Sequence, residues 1–137
     1  MDDLIMCKFY FFFLHNILQR MFSEAYSFNR DLSNWNVSSV TDMGSMFAET
    51  TSFNADLSKW DVSSVTDMET MFGEAISFNA DLSKWDVSSV TNMKGMFWDA
   101  VAFKSRLSDW DVSRVTDMNI MFGFEETKGL EVVALLP

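Results

Sequence analysis

Apolar residues recur along the chain at a fixed step of 25 residues. The step is marked by a Met-Phe pair that begins at Met21, Met46, Met71, Met96 and Met121. Phe, Leu, Trp, Val, Val and Met then follow in the same order in each unit. This regularity predicts stacked units that bury equivalent positions against one another. The expected organisation is a degenerate capping segment at 1–20, four complete repeats and the start of a fifth at 21–122, and a C-terminal tail or cap at 123–137.

Two segments of each unit show different periodicities. Residues 57–65 read Leu-x-x-Trp-x-Val-x-x-Val, the spacing of the short strand in leucine-rich repeats. Residues 66–75 place apolar side chains at i, i+3, i+4 and i+7, behind a Thr and a Glu with capping-box spacing. The expected fold class is therefore a leucine-rich-repeat-like solenoid, with one short parallel β-strand and one short helix or 3₁₀ turn in each 25-residue coil.

One copy of the unit carries a family resemblance. Residues 71–93 read Met-Phe-Gly-Glu-Ala-Ile-Ser-Phe-Asn-Ala-Asp-Leu-Ser-Lys-Trp-Asp-Val-Ser-Ser-Val-Thr-Asn-Met. This run resembles a 25-residue repeat of unknown function found in BspA-like leucine-rich-repeat surface proteins and in mycoplasma-type surface lipoproteins, and the resemblance covers residues 21–122. It implies a right-handed solenoid with a parallel sheet and a surface or secreted binding role such as adhesion. It implies no reaction and no catalytic residues.

Composition and charge narrow the classes of partner. The 137 residues are 48% hydrophobic, which is enough for a folded core, and carry 20 acidic against 10 basic residues. A net charge of −10 argues against nucleic acid and anionic membranes as partners. A single Cys excludes an internal disulfide, and the apolar run at 9–14 is too short to span a bilayer. The acidic start is not a recognisable signal peptide, so the residues do not identify the cellular compartment. The family resemblance implies the cell surface or secretion.

Three columns of Asp residues follow the repeat and allow two interpretations. They are Asp31, Asp56 and Asp81; Asp42, Asp67 and Asp117; and Asp61, Asp86 and Asp111. A row of calcium sites would use their carboxylate oxygens. Asn36 and Asn92 replace Asp in two of the columns, however, and Asn keeps the acceptor while losing the charge. We therefore favour structural hydrogen bonds to turns over metal binding, and we expect no metal or cofactor.

The remaining candidate residues are the tryptophans, possible nucleophiles and the polar residues on the outer face of the predicted sheet. The Trp column offers either an aromatic platform for sugars or core packing, and its alignment with Val favours the core. Trp98 stands where the other repeats have small residues. No activated nucleophile is visible, and His15 with Cys7 is a weak suggestion at most. The predicted binding residues lie on the outer face of the predicted sheet, and they are Lys59, Asp61, Ser63, Lys84, Asp86, Ser88, Asp109 and Asp111.

These features predict a non-enzymatic protein- or ligand-binding repeat domain for surface recognition or adhesion. Its partner, a protein or a glycan, is unidentified, and the chain is expected to be a monomer or part of a longer array. The main alternative is a structural spacer in a larger surface protein. A calcium-dependent or glycan-binding module is a more distant one.

Overall fold

The computed structural model describes residues 16–123, in which there is neither a helix nor an extended strand. Turns predominate, and the bridges within this range are isolated and parallel. They join Ile17, Asp42, Asp67, Asn92 and Asp117 in succession. The predicted strand-plus-helix coil is therefore wrong, and so is the leucine-rich-repeat-like sheet. Residues 1–15 of the predicted cap and 124–137 of the predicted tail lie outside the described residues.

The segment predicted as a helix carries the contacts between repeats. In one unit the N–H groups of Met68, Thr70, Phe72 and Glu74 donate to carbonyls of the next repeat at 2.6–2.9 Å. The intervening amides of residues 71, 73 and 75 donate three residues back, at 3.1–3.2 Å. An α-helix would instead direct every one of these amides four residues back. The chain here alternates between short turns and bonds to its neighbour.

Left-handed backbone at regular positions produces this alternation. Thr70 and Glu74 have φ of 53° and 56°, and the equivalent residues of other repeats share the conformation. L-residues rarely adopt this conformation, so positive φ cannot be predicted from the sequence at positions that carry neither Gly nor Asn. The predicted capping box is also wrong. Thr66 Oγ1 donates to the Thr41 carbonyl at 3.1 Å, and Asp67 Oδ1 accepts the Glu69 N–H at 2.8 Å.

The segment predicted as a strand consists of two consecutive turns. The Trp60 N–H donates to the Leu57 carbonyl at 3.0 Å, and the Val65 N–H to the Val62 carbonyl at 2.9 Å. Each turn follows an Asp whose side chain accepts the N–H of the Ser two residues on. Such local bonds compete with a strand ladder for the same backbone groups. The Asp-x-Ser pairs thus redirect this segment from a sheet into turns.

Stacked aromatic rings form the centre of the core. Successive rings of one column lie 5.4–5.7 Å apart, those of a second 5.8–6.0 Å apart, and the two columns approach to 3.9–4.0 Å within a repeat. The columns are Phe22, Phe47, Phe72, Phe97 and Phe122, and Phe28, Phe53, Phe78 and Phe103. Their spacing slightly exceeds the roughly 4.8 Å between hydrogen-bonded strands, which tilted, offset rings accommodate. The prediction that equivalent apolar positions pack on one another is confirmed.

The tryptophans belong to the same core. Trp60, Trp85 and Trp110 are buried, which confirms core packing over a sugar platform at these positions. Each indole Nε1 donates to the carbonyl of a Leu in the preceding repeat at 3.0 Å. Thr50, which stands where other repeats have Ala, is buried and donates from Oγ1 to the Phe22 carbonyl at 2.9 Å. Buried polar groups are thereby satisfied across the repeats.

Asn side-chain amides form a ladder of hydrogen bonds that joins equivalent loops of successive repeats. The Oδ1 atoms of Asn29, Asn54 and Asn79 each accept the N–H of the equivalent residue in the next repeat at 2.8–2.9 Å. Lys104 receives the last of these bonds and has no amide with which to continue them. The fourth repeat therefore begins a change in surface chemistry on the same framework.

Candidate functional site

The predicted binding residues lie on the surface formed by the two turns. Lys59, Lys84 and Asp109 are exposed, as are Asp61, Asp86 and Asp111, whereas Ser63 and Ser88 are half-buried. We call this surface the polar face. Its side chains project from turns, not from the outer face of a sheet as predicted. The polar face is nevertheless solvent-accessible and presents each residue type in register.

The aspartates of the polar face stabilise their own turns. Asp61 Oδ1 accepts the Ser63 N–H at 3.1 Å and the Ser63 hydroxyl at 2.6 Å, and Asp86 makes the same two bonds with Ser88. The Ser63 hydroxyl, followed by its N–H, holds the pKa of Asp61 below the ordinary value. Asn36 accepts the Ser38 N–H at 3.2 Å in the equivalent turn. The turn requires an acceptor and tolerates loss of the charge, as predicted.

A second Asp column lies half-buried along the bridges. Asp42, Asp67 and Asp117 each accept the N–H two residues on at 2.8–2.9 Å, and Asn92 does so at 3.1 Å. Asn92 Nδ2 also donates to Asp67 Oδ2 at 3.2 Å, which relieves the repulsion expected of stacked carboxylates. Among residues 16–123, no three His, Cys, Asp or Glu side chains are grouped to hold a metal ion. Hydrogen bonding accounts for the column.

A groove of about 460 Å³ borders the polar face at the boundary between the third and fourth repeats. Its lining is Asp81, Ser83, Ser105, Arg106, Ser108 and Asp109. Two columns reverse charge there. Arg106 stands where earlier repeats have Asp, and Asp109 stands where Lys59 and Lys84 precede it. The groove is thus unlike the surface of any other described repeat.

Groups inside the groove remain open to a ligand. Asp81 Oδ1 accepts the Ser83 N–H at 2.9 Å and, at a longer 3.4 Å, the Ser105 hydroxyl. The Ser83 N–H contributes most to keeping the pKa of Asp81 below its ordinary value. Within the described part of the chain, Arg106 forms no ion pair. A guanidinium with free donors therefore lies beside carboxylates and hydroxyls, an arrangement suited to multiple hydrogen bonds with a polar ligand.

Most of this groove was not predicted from the sequence. Asp109 was among the predicted binding residues and Asp81 was considered only as a member of an Asp column, whereas Arg106 and Ser105 were not considered. The signal was available, because Arg106 interrupts a column of Asp residues at a fixed step. Trp98, the other irregular position, is half-buried, and its Cδ1 lies only 3.1 Å from where a Cβ on Gly123 would stand. Its ring packs against the backbone there. His15 and Cys7 lie outside the described residues.

Comparison with known proteins gives one match. The model of the family described as Mycoplasma protein of unknown function, DUF285, matches residues 16–131. The chain belongs to this family. The mycoplasma-type repeat predicted from the sequence is therefore present, and the family's description assigns it no activity. Neither curated proteins nor solved structures contain a match to the chain. Across residues 16–123, no helix has the length and apolar character needed to cross a membrane.

Proposed function

We propose that this DUF285 domain is a non-enzymatic recognition module that binds a protein or glycan through the polar face. The observation that carries the proposal is the groove, where Arg106 and Asp109 reverse the charge of their columns. A framework that only needed to stack would gain nothing from changing both signs in one repeat. The exposed hydroxyls, carboxylates and guanidinium favour a hydrogen-bonding partner over an apolar one.

The state of the carboxylates supports binding over catalysis. Hydrogen bonds from Ser N–H and hydroxyl groups lower the pKa of Asp61, Asp81, Asp86 and Asp111. A general acid active near neutral pH needs a pKa raised toward that pH. These groups are ionised acceptors, which suits them to hold a ligand and stabilise turns.

A surface role is part of the proposal and rests on the resemblance to BspA-like surface proteins. The principal alternative is a structural spacer, in which the repeats supply length and rigidity. The ladders between repeats are compatible with that role, but they do not account for the groove. A calcium-dependent or glycan-binding module is the third alternative, and a glycan ligand would use the same groove.

Binding to panels of immobilised glycans and immobilised proteins tests the proposal. We expect a partner whose affinity falls at least about tenfold in Arg106→Ala, the loss of a charge-assisted pair of hydrogen bonds. Arg30→Ala is the matched control, because Arg30 is exposed outside the groove. Asp109→Asn tests the other reversed charge of the groove and Lys84→Ala tests the polar face outside it, and neither variant removes a turn acceptor. If the domain is only a structural spacer, no probe should bind in a way that depends on Arg106, Lys84 or Asp109.

A further inference from the structure

One residue of the polar face carries a chemical feature that its equivalents in the other repeats lack. Asn36 stands in the column that has Asp in the other complete repeats, at Asp61, Asp86 and Asp111. The run Asn-Val-Ser at 36–38 has the spacing of an acceptor for N-linked glycosylation, which is Asn-x-Ser/Thr without Pro at the middle position. None of the other asparagines is followed two residues later by Ser or Thr. The change from Asp to Asn in the first repeat therefore creates the single acceptor sequence of the chain.

The turn that holds this run has the same hydrogen bonds as the turns that hold the aspartates. Asn36 Oδ1 accepts the Ser38 N–H at 3.2 Å and the Ser38 hydroxyl at 2.8 Å. Asp61 Oδ1 makes the same two bonds with Ser63, at 3.1 Å and 2.6 Å. Either residue type satisfies the turn, so the backbone does not select Asn over Asp at this position. A requirement of the fold does not explain the change.

The nitrogen that would carry a glycan is accessible. Asn36 is exposed, and within residues 16–123 its Nδ2 donates to no acceptor, since both of its side-chain bonds are made by Oδ1. Ser38 is exposed as well, whereas Ser63 and Ser88 of the following repeats are half-buried. A bulky hydrophilic group on Asn36 Nδ2 would therefore extend into solvent without displacing a hydrogen bond or a packed side chain.

We propose that Asn36 is a site of N-linked glycosylation and that its glycan covers the first repeat of the polar face. In this transfer, Asn36 Nδ2 forms a bond to the anomeric carbon of an oligosaccharide carried on a polyprenyl pyrophosphate. The bond between that carbon and the pyrophosphate oxygen breaks, and Nδ2 loses one proton. The inference rests on the surface role proposed above, because an exported chain meets the transferring enzyme.

The position of Asn36 separates the glycan from the groove. Asn36 belongs to the first repeat, whereas the groove lies between the third and fourth repeats. Hydrogen-bonded neighbours in a stack are about 4.8 Å apart, so the attachment point is two to three repeats, about 10–14 Å, from the groove. The glycan would shield one end of the polar face, and its point of attachment would leave Arg106 accessible to a ligand.

Secretion of the full chain from a eukaryotic cell line, behind a cleavable export leader, tests this inference. We expect the intact mass of the secreted protein to exceed that of the chain by one oligosaccharide, which peptide-N-glycosidase F removes. That enzyme converts the modified Asn to Asp, so the tryptic peptide 31–59 should then contain Asp at residue 36. Ser38→Ala keeps Asn36 and should lose the glycan completely, because the acceptor sequence requires the hydroxyl.

Asp61→Asn is the matched gain-of-glycan variant, because it creates Asn-Val-Ser in the equivalent turn of the second repeat. We expect this variant to carry two glycans. A secreted natural chain without a glycan would overturn the inference, and so would a glycan that persists in Ser38→Ala. A glycan on residue 61 alone in Asp61→Asn would overturn it for Asn36 specifically. The leader supplies export, so these outcomes leave the proposed function untouched, whereas a glycosylated chain whose binding does not depend on Arg106 would refute that function alone.

Discussion

The stacked Phe columns predict that the stability lost on removing one Phe ring depends strongly on its position along the array of repeats. Phe72 is fully buried at the middle of its column. Its ring centroid lies 5.6 Å from that of Phe47, 5.7 Å from Phe97, 3.9 Å from Phe78 and 6.3 Å from that of Trp85. Rings above and below are held by hydrogen-bonded backbone, so a cavity at this position cannot easily collapse.

Phe72→Ala should therefore fall at the upper end of the usual range, with a loss of about 4–5 kcal/mol from the free energy of unfolding. Phe122→Ala removes the same atoms from a half-buried ring with Phe97 as its described stacking partner, at 5.5 Å. We expect it to cost about 1–2 kcal/mol, because less apolar surface is lost from the core. Domains of this size have about 5–15 kcal/mol in total, so Phe72→Ala approaches unfolding.

Urea denaturation followed by tryptophan fluorescence measures both losses, since the indoles pack beside these rings. At about 2 kcal/mol per molar urea, Phe72→Ala should lower the midpoint by about 2 M and Phe122→Ala by less than about 1 M. Equal shifts in the two variants, or a loss below about 1 kcal/mol at Phe72, would refute a core built on a continuous aromatic column.

Three further predictions concern the polar groups. Asp86→Asn should lower the free energy of unfolding only slightly, because an acceptor for Ser88 is kept although the charge is lost, whereas Asp86→Ala should lower it more, because the acceptor is lost as well; equally large losses in the two would mean that the charge is required. Thr50→Val should destabilise by about 0.5–1 kcal/mol in thermal or urea unfolding, because the Phe22 carbonyl loses one of its two donors and keeps the Ala25 N–H; no change would show that this bond is unimportant. The hydrogen-bonded carboxyls have lowered pKa values in the folded state, so they stabilise it above their unfolded pKa of about 3.9 and lose this contribution as pH falls through the lower, folded values. Urea midpoints should therefore fall below about pH 4, and a midpoint that rises there would contradict the assignment.

The repeat in the sequence determined which residues stack, but not the conformation of each segment. Equivalent Phe, Trp, Val and Met positions share a core because a constant step leaves no other way to bury them all. The spacing of Met68, Met71, Phe72 and Ala75 fitted a helix, yet turns of three residues bring the same side chains to one side. Non-Gly residues with positive φ, such as Thr70 and Glu74, have no reliable sequence mark.

The candidate site was predictable to a similar extent. The Asp columns were correctly predicted to supply acceptors for turn amides, and the Ser two residues after Asp56 and Asp61 was an unused indication against a strand. Asp109 was selected because it followed the Lys column, whereas Arg106 was overlooked although it broke an Asp column. The groove itself depends on how the third and fourth repeats face each other, which no pattern within a single repeat specifies.

The central claim is that the amides of the turn segment bond to the next repeat and not along a helix. Through-hydrogen-bond scalar couplings in NMR identify the acceptor of each amide directly. The account predicts a coupling between the Phe72 amide and the Met96 carbonyl, whose N–H···O bond is 2.9 Å long. A coupling from the Phe72 amide to the Met68 carbonyl, the acceptor in an α-helix, would contradict it.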